Sequence, residues 1–347
     1  MLYQTTNPHG GDVYRHAIRL DFSANTNPLG TPPAVVAAAQ SALAAVSRYP
    51  DPCCKALTAA IAAFEGVPEA YILCGNGAAE LIYSVCGGLR PKRAAETAPT
   101  FLEYGLALEQ AGCRVERYTL RQENDFAVDE GILPFLREKK PEVLFLCNPN
   151  NPTGRRIAPD LLLRILELCS KIDTRLVVDE CFLDLTEGGV SLKPLLAENP
   201  HLLLLKAFTK SYGMAGLRLG YCLCSDGQWL QAMSRTVPPW NVSLPAQSAG
   251  IAALGETDFL QRAKAIIAAE RPWMKAELER LGCWVCPSDA NYLLFRAKAG
   301  LDDELRQQGI ALRSCANYHG LGEGWYRTAV RRHEENQMLL DALARLM

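Results

Sequence analysis

Three short apolar runs constrain the fold more than anything else in the chain. Residues 143–147, 175–178 and 202–205 each read as a strand without polar alternation, and Leu161 to Ser170 between the first two has clear helical periodicity. Strands that stay apolar throughout are covered on both faces, the state of a parallel sheet between helices. Each run also leads to a polar residue: Asn151 in the turn after the first, Asp179 at the end of the second, and Lys210 just past the third. Ligands of open α/β sheets sit beyond the carboxyl ends of the strands, so these three side chains are expected to converge on one site.

The rest of the chain fits around that sheet. Up to about Gly30 there is no helical periodicity, and the segments HGG (9–11) and SANTNPLG (23–30) look like an extended arm. A helix is expected from Pro33 to about Val46, another from Lys55 to Phe64, and a strand near Tyr71 to Leu73. Strand and helix patterns then alternate to about Tyr221, which implies a mainly parallel sheet with helices on both faces. Past PPWNVSLPAQ (238–247) the pattern changes. A long helix from about Ala246 to Leu281, interrupted near Gly255, precedes strands near Asn291 to Phe295 and Tyr326 to Val330 and a closing helix from Glu334. The expected division is an arm (1–32), a large α/β domain (33–245) and a smaller α+β C-terminal domain (246–347).

Composition removes several classes of function. A net charge of −2 offers no basic footprint for nucleic acid. No apolar run is long enough to span a bilayer, and the first residues, MLYQTTNPHGGDVYR, lack a signal-peptide core, so a cytoplasmic protein is expected. The 13 cysteines are expected to be reduced thiols, with Cys53, Cys54, Cys222 and Cys224 as small buried apolar residues. Cys283 and Cys286 have CxxC spacing, but no second CxxC or nearby His completes a zinc site, so no metal is expected.

The polar residues at the strand ends suggest a specific chemistry. Pyridoxal phosphate needs a lysine amine for its aldehyde and a fixed guanidinium for its phosphate, and Lys210 and Arg218 supply both from one segment. It also needs a carboxylate to keep its ring nitrogen protonated, the role open to Asp179, while Asn151 can donate to the phenolic oxygen. Gly75-Asn76-Gly77 opens a helical stretch, so the amides of Ala78 and Ala79 can meet the phosphate. Taken singly, each of these residues also has an ordinary reading: a solvated charge, a tight turn, a core aromatic.

Five motifs in order change that balance: GNGAAE (75–80), APTFLEYG (98–105), NPNNPTG (148–154), DECF (179–182) and FTKSYGMAGLRLG (208–220). With them the chain resembles the fold-type I pyridoxal-phosphate enzymes, in the branch of histidinol-phosphate aminotransferases and threonine-phosphate decarboxylases. The resemblance implies that Phe101 stacks on the cofactor ring and that Arg327 binds the substrate α-carboxylate. It also implies that Tyr49, in RYP, reaches the cofactor phosphate of the other subunit of a homodimer.

Two positions depart from the general pattern of that family. Phe182 stands where a tyrosine usually meets the cofactor oxygen, and Ala207 replaces a phosphate-binding hydroxyl, leaving Thr209 for that contact. The HGG arm, LDFSANTNPLG (20–30), DECFLD (179–184) and LRSCANYHGLGEGWYRTAVR (312–331) are similar to the decarboxylase group. That group converts L-threonine O-3-phosphate to (R)-1-amino-2-propanol O-2-phosphate for cobalamin. For the substrate phosphate the candidates are Arg313 first, then His9, Asn317 and Tyr318, with Asn27 of the arm as a further substrate-binding candidate. The alternatives are an aminotransferase acting on histidinol phosphate and a non-catalytic cofactor-binding regulator; against the latter, there is no DNA-binding segment ahead of the arm.

Overall fold

The computed structural model describes residues 9–347, and the first eight residues of the expected arm lie outside it. The arm contributes one short strand, β1 (Leu20–Asp21). The large sheet takes the next seven: β2 (Ile72–Gly75), β3 (Arg93–Ala98), β4 (Arg114–Thr119), β5 (Val143–Cys147), β6 (Arg175–Asp179), β7 (Leu202–Ala207) and β8 (Gly220–Cys224). Their spatial order is β2-β8-β7-β6-β5-β3-β4. Neighbours are parallel from β7 through to β4, and β8 runs antiparallel to both β2 and β7.

The apolar runs are buried on both faces, as their composition requires. Leu202 and Leu204 join a core with helices 33–42, 55–65, 159–171 and 244–254, while Leu203 and Leu205 point into the opposite core, against helices 77–89, 102–110 and 227–234. Successive residues of one strand thus serve different layers.

A second, antiparallel sheet has the order β12-β13-β10-β9, from β9 (Trp284–Val285), β10 (Tyr292–Arg296), β12 (Arg313–Ser314) and β13 (Trp325–Ala329). Helices 257–280 and 333–346 pack on it. The arm is tied to this unit, because β1 pairs in parallel with β11 (Ile310–Ala311).

Differences from the sequence expectations are local. The long helix is two, Leu244–Leu254 and Thr257–Arg280, broken about where expected. The first helix is α-helical only to Ala42 and tightens to a 3-10 turn over Leu43–Ala45. Cys54, Cys222 and Cys224 are buried, but Cys53 is exposed, because it lies in the turn before helix 55–65 rather than inside it. All 13 cysteines are free thiols, and among the described residues no cluster of His, Cys, Asp or Glu can hold a metal.

Leu204 lies in the middle of the sheet with no exposure. Leu204→Ala should lower unfolding stability by roughly 2–5 kcal/mol, the cost of a cavity in a close-packed core, measurable by chemical denaturation of the protein.

Candidate functional site

Beyond the carboxyl ends of β5, β6 and β7 lies a cavity of about 210 Å³. Twelve of the residues singled out from sequence line it: Asp179, Lys210, Ala78, Ala79, Phe101, Asn151, Thr209, Arg218, Arg327, Arg313, His9 and Tyr318. Convergence follows from strand register. Cys147 pairs with Asp179, and Asp179 with Leu205, so the three strands end nearly level.

Asp179 is buried and held rigidly. The Tyr104 hydroxyl donates to its Oδ2 at 2.6 Å, and the Cys181 amide donates to Oδ1 at 2.9 Å. Tyr104 is itself fixed, stacked on Phe145 with ring centroids 5.1 Å apart and edge-on to Phe101 at 5.6 Å. Burial pushes the Tyr104 phenol well above its ordinary range, and the Asp179 charge adds to this, so it stays a donor. The sequence signal for Tyr104 was its place three residues after Phe101 at the start of one helix, which puts both rings on one side.

Lys210 sits in the four-residue helix Phe208–Ser211, and its amine lies 5.7 Å from the centre of the Phe182 ring. Burial, then Arg327 and Arg218, lower its pKa to about 8; Cys181 and Asp179 act the other way. A neutral amine is therefore available near neutral pH, the form needed to attack a carbonyl.

Helix Gly77–Leu89 points its N-terminus at the cavity with no side-chain cap. Gly77 has φ +82°, and a Cβ there would sit 2.7 Å from the Arg218 guanidinium. Gly220 is equally constrained, since its Cβ would lie 2.5 Å from the Ala78 amide nitrogen. These glycines let Arg218 and the helix amides close on one point, an arrangement that suits a phosphate.

Arg327 lies across the cavity on β13, buried, with Nη1 donating to Asn151 Oδ1 at 2.5 Å and Nη2 to the Ser23 carbonyl at 2.6 Å. Its Nε is buried without a protein partner. The Tyr318 hydroxyl also reaches Asn151 Oδ1, at 3.4 Å. Arg313 is buried, stacks over the Tyr318 ring at 5.3 Å and donates to Asn317 Oδ1 at 2.9 Å. His9 Nε2 lies 2.5 Å from Glu103 Oε1.

The residues fit pyridoxal phosphate at each of its groups. Arg218, Thr209 and the amides of Ala78 and Ala79 would hold the phosphate, Phe101 would cover one ring face, Asp179 would face the ring nitrogen, and Lys210 would meet the aldehyde. Phe182, buried against Tyr292 at 4.9 Å, brings no hydroxyl to the site, and Ala207 lines the wall beside Thr209.

Four candidates lie outside the cavity lining: Gly77, which bears on it through its close approach to Arg218, and Tyr49, Asn317 and Asn27. Tyr49 is 77% exposed and stacks on Trp240 at 4.5 Å. Asn317 meets a lining residue, accepting from Arg313 at Oδ1. Asn27 is buried but turned away from the cavity: its Nδ2 donates to the Ser211 carbonyl at 2.8 Å, and its Oδ1 accepts from the Leu29 amide at 2.8 Å. Residues not chosen from sequence also line it, Ser23 and Asn25 among them. Ser23 receives Arg327, and both polar side-chain atoms of Asn25 are buried without a protein partner.

Relatives match the chain over nearly its whole length. The chain is 38% identical to a threonine-phosphate decarboxylase of Salmonella typhimurium, over 98% of this chain and 96% of that one. It is 33% identical to a histidinol-phosphate aminotransferase of Anaeromyxobacter, over 94% of this chain and 90% of the other. Among solved structures, a histidinol-phosphate aminotransferase of Clostridium acetobutylicum superposes with a TM-score of 0.88 at 26% identity, covering 94% of this chain and 98% of its own. The family model for aminotransferase class I and II matches residues 17–343, so the chain belongs to the class I and II aminotransferase family.

Proposed function

We propose that this protein is a pyridoxal-phosphate-dependent carboxy-lyase that converts L-threonine O-3-phosphate to (R)-1-amino-2-propanol O-2-phosphate, the amine used in cobalamin synthesis. The observation that carries the reading is the 38% identity to a threonine-phosphate decarboxylase along 98% of the chain. The site's charge supports it. Four cations, Lys210, Arg218, Arg313 and Arg327, line one cavity with the carboxylate of Asp179, an excess that suits a cofactor phosphate together with a substrate bearing both carboxylate and phosphate.

When bound, the cofactor supplies an electron sink for the bond that breaks at Cα. Asp179, fixed by Tyr104 and Cys181, holds the proton on the ring nitrogen. Lys210 would hold the cofactor's aldehyde through its amine. Arg327 would grip the substrate carboxylate through its guanidinium fork and fix its orientation. For decarboxylation Arg327 would have to hold the carboxylate in the one orientation that lets its bond to Cα break. Arg313 takes the substrate phosphate, with His9, Asn25, Asn317 and Tyr318 around it.

The reading includes a homodimer. Leu43, Val46, Tyr49 and Trp240 are all exposed, and a Tyr49 that lies outside its own cavity suits a role in the cavity of a second copy. It also includes a cytoplasmic location; no helix among the described residues is long and apolar enough to cross a membrane. Transamination of histidinol phosphate is the second reading, favoured by the 33% identity to such an enzyme.

The deciding experiment gives the cofactor-loaded protein L-threonine O-3-phosphate without an oxo-acid and measures CO₂ with the amine product. Sustained release over many turnovers is expected; no release, with conversion of the cofactor to its amine form by histidinol phosphate, would favour the aminotransferase. Arg313→Ala should raise the Michaelis constant for the phosphorylated substrate at least about tenfold, a loss of roughly 1.4 kcal/mol or more of binding. A hydrogen bond to a charged group contributes roughly 1.5–3 kcal/mol, so Tyr104→Phe should weaken cofactor binding or kcat by about 10- to 100-fold. In cofactor-free protein, acylation of Lys210 followed by peptide mass spectrometry should rise with pH and level off soon after about pH 8, where half of its amine is neutral. A plateau only above the ordinary lysine value of about 10.4 would mean the amine is not desolvated as described.

A further inference from the structure

The Lys210 turn is held from two sides by groups that never touch the cavity. On one side stands the arm. The Asn27 amide donates to the Lys210 carbonyl at 3.1 Å, and its Nδ2 to the Ser211 carbonyl at 2.8 Å. The Thr31 hydroxyl donates to the Gly213 carbonyl at 2.8 Å. Approach is so close that a Cβ on Gly213 would fall 2.4 Å from the Gly30 carbonyl oxygen.

On the other side stands an ionic network centred on buried Lys206 and Glu65. The Ser211 hydroxyl donates to Asp184 Oδ2 at 3.0 Å. Asp184 Oδ1 receives the Lys206 ammonium at 3.0 Å, and Lys206 also lies 3.2 Å from Glu65 Oε1. Glu65 takes Lys193 at 2.8 Å and the Tyr221 hydroxyl at 2.5 Å. Burial works against the Lys206 ammonium, but Asp184, Glu65 and Glu180 outweigh it and keep it charged. The same lysine, with Lys193 and Tyr221, overcomes the burial penalty on Glu65 and holds that carboxylate below its ordinary range.

Such a network is a costly way to fill a core, since apolar residues of similar volume are often as stable. Its location suggests another use. Ser211 follows Lys210, and Glu180, whose carboxylate accepts the Ser191 hydroxyl at 2.6 Å and the Leu192 amide at 3.0 Å, follows Asp179. The arm side is equally placed, because Ser23, four residues before Asn27, receives the Arg327 guanidinium at 2.6 Å.

We propose that Asn27 and the Ser211–Asp184–Lys206 chain are positioning residues for Lys210, clamping its backbone between the substrate-contacting arm and the buried ions so that its amine is delivered to the cofactor aldehyde at one fixed place. Asn27 therefore acts on the lysine's backbone and not on substrate. The clamp also joins the arm that receives Arg327 to the segment that carries Lys210. This inference rests on Lys210 being the cofactor's lysine, and the test separates the two.

The test compares Ser211→Ala, Ser211→Thr and Asn27→Ala with the unaltered holoenzyme, after thermal melting has shown that each folds. A merely structural clamp would lower only the melting temperature. A positioning clamp shifts the pH at which the visible absorbance of the bound cofactor titrates, and lowers kcat about tenfold or more while the KM for L-threonine O-3-phosphate stays within about twofold, because a misplacement near 1 Å costs up to about 100-fold in rate. Ser211→Thr, which keeps the hydroxyl, should restore both. Unchanged absorbance titration and kcat in folded Ser211→Ala and Asn27→Ala would overturn the inference. The control is Lys210→Ala: if the cofactor keeps its lysine-linked absorbance in that variant, the assignment of Lys210 itself has failed.

Discussion

The parallel register of β5, β6 and β7 is the constraint on which the site depends. With Cys147 opposite Asp179 and Asp179 opposite Leu205, the sheet delivers a carboxylate at one strand end and a lysine five residues beyond the level of the next. Hydrogen bonds of the ladder cannot shift by one residue without turning every inward leucine to the other face, so the register is fixed by two cores at once. The positions of Asp179 and Lys210 thus rest on apolar residues with no chemical role, such as Leu202 to Leu205.

Much of this was legible in the sequence because it depends on short-range pattern. Continuous apolar runs announced buried strands, and the polar residue after each run announced a shared edge. The antiparallel strand β8 was not foreseen as such: GYCLC, at 220–224, is as apolar as its parallel neighbours, and direction is set by chain connectivity rather than composition. Helix ends were displaced where capping is weak, as at Ala42, where no glycine or proline marks the stop.

The site was legible to different depths. Residues that meet a ligand through their side-chain chemistry, such as Lys210, Asp179, Arg218 and Arg327, could be read from motif and charge. Those that act on other protein groups could not. Tyr104 is an ordinary core aromatic until its hydroxyl is seen 2.6 Å from Asp179, and Asn27 looks like a substrate ligand until its amide is seen bound to the backbone of Ser211. The pairing partners are 75 and 184 residues away, distances over which a single sequence carries no signal.

Charge in the cavity links binding to reactivity. Arg327 and Arg218 both act against protonation of Lys210, adding to burial, while Asp179 acts the other way. In the proposed reading these two guanidiniums would also hold the substrate carboxylate and the cofactor phosphate. Positive charge beside the amine thus adds to burial in favouring its neutral form, the form able to attack a carbonyl. An anion bound at either guanidinium would offset part of that effect and raise the amine's affinity for a proton. Binding and reactivity are therefore coupled through charge: the guanidiniums that would take up anions are also ones that lower the affinity of Lys210 for a proton.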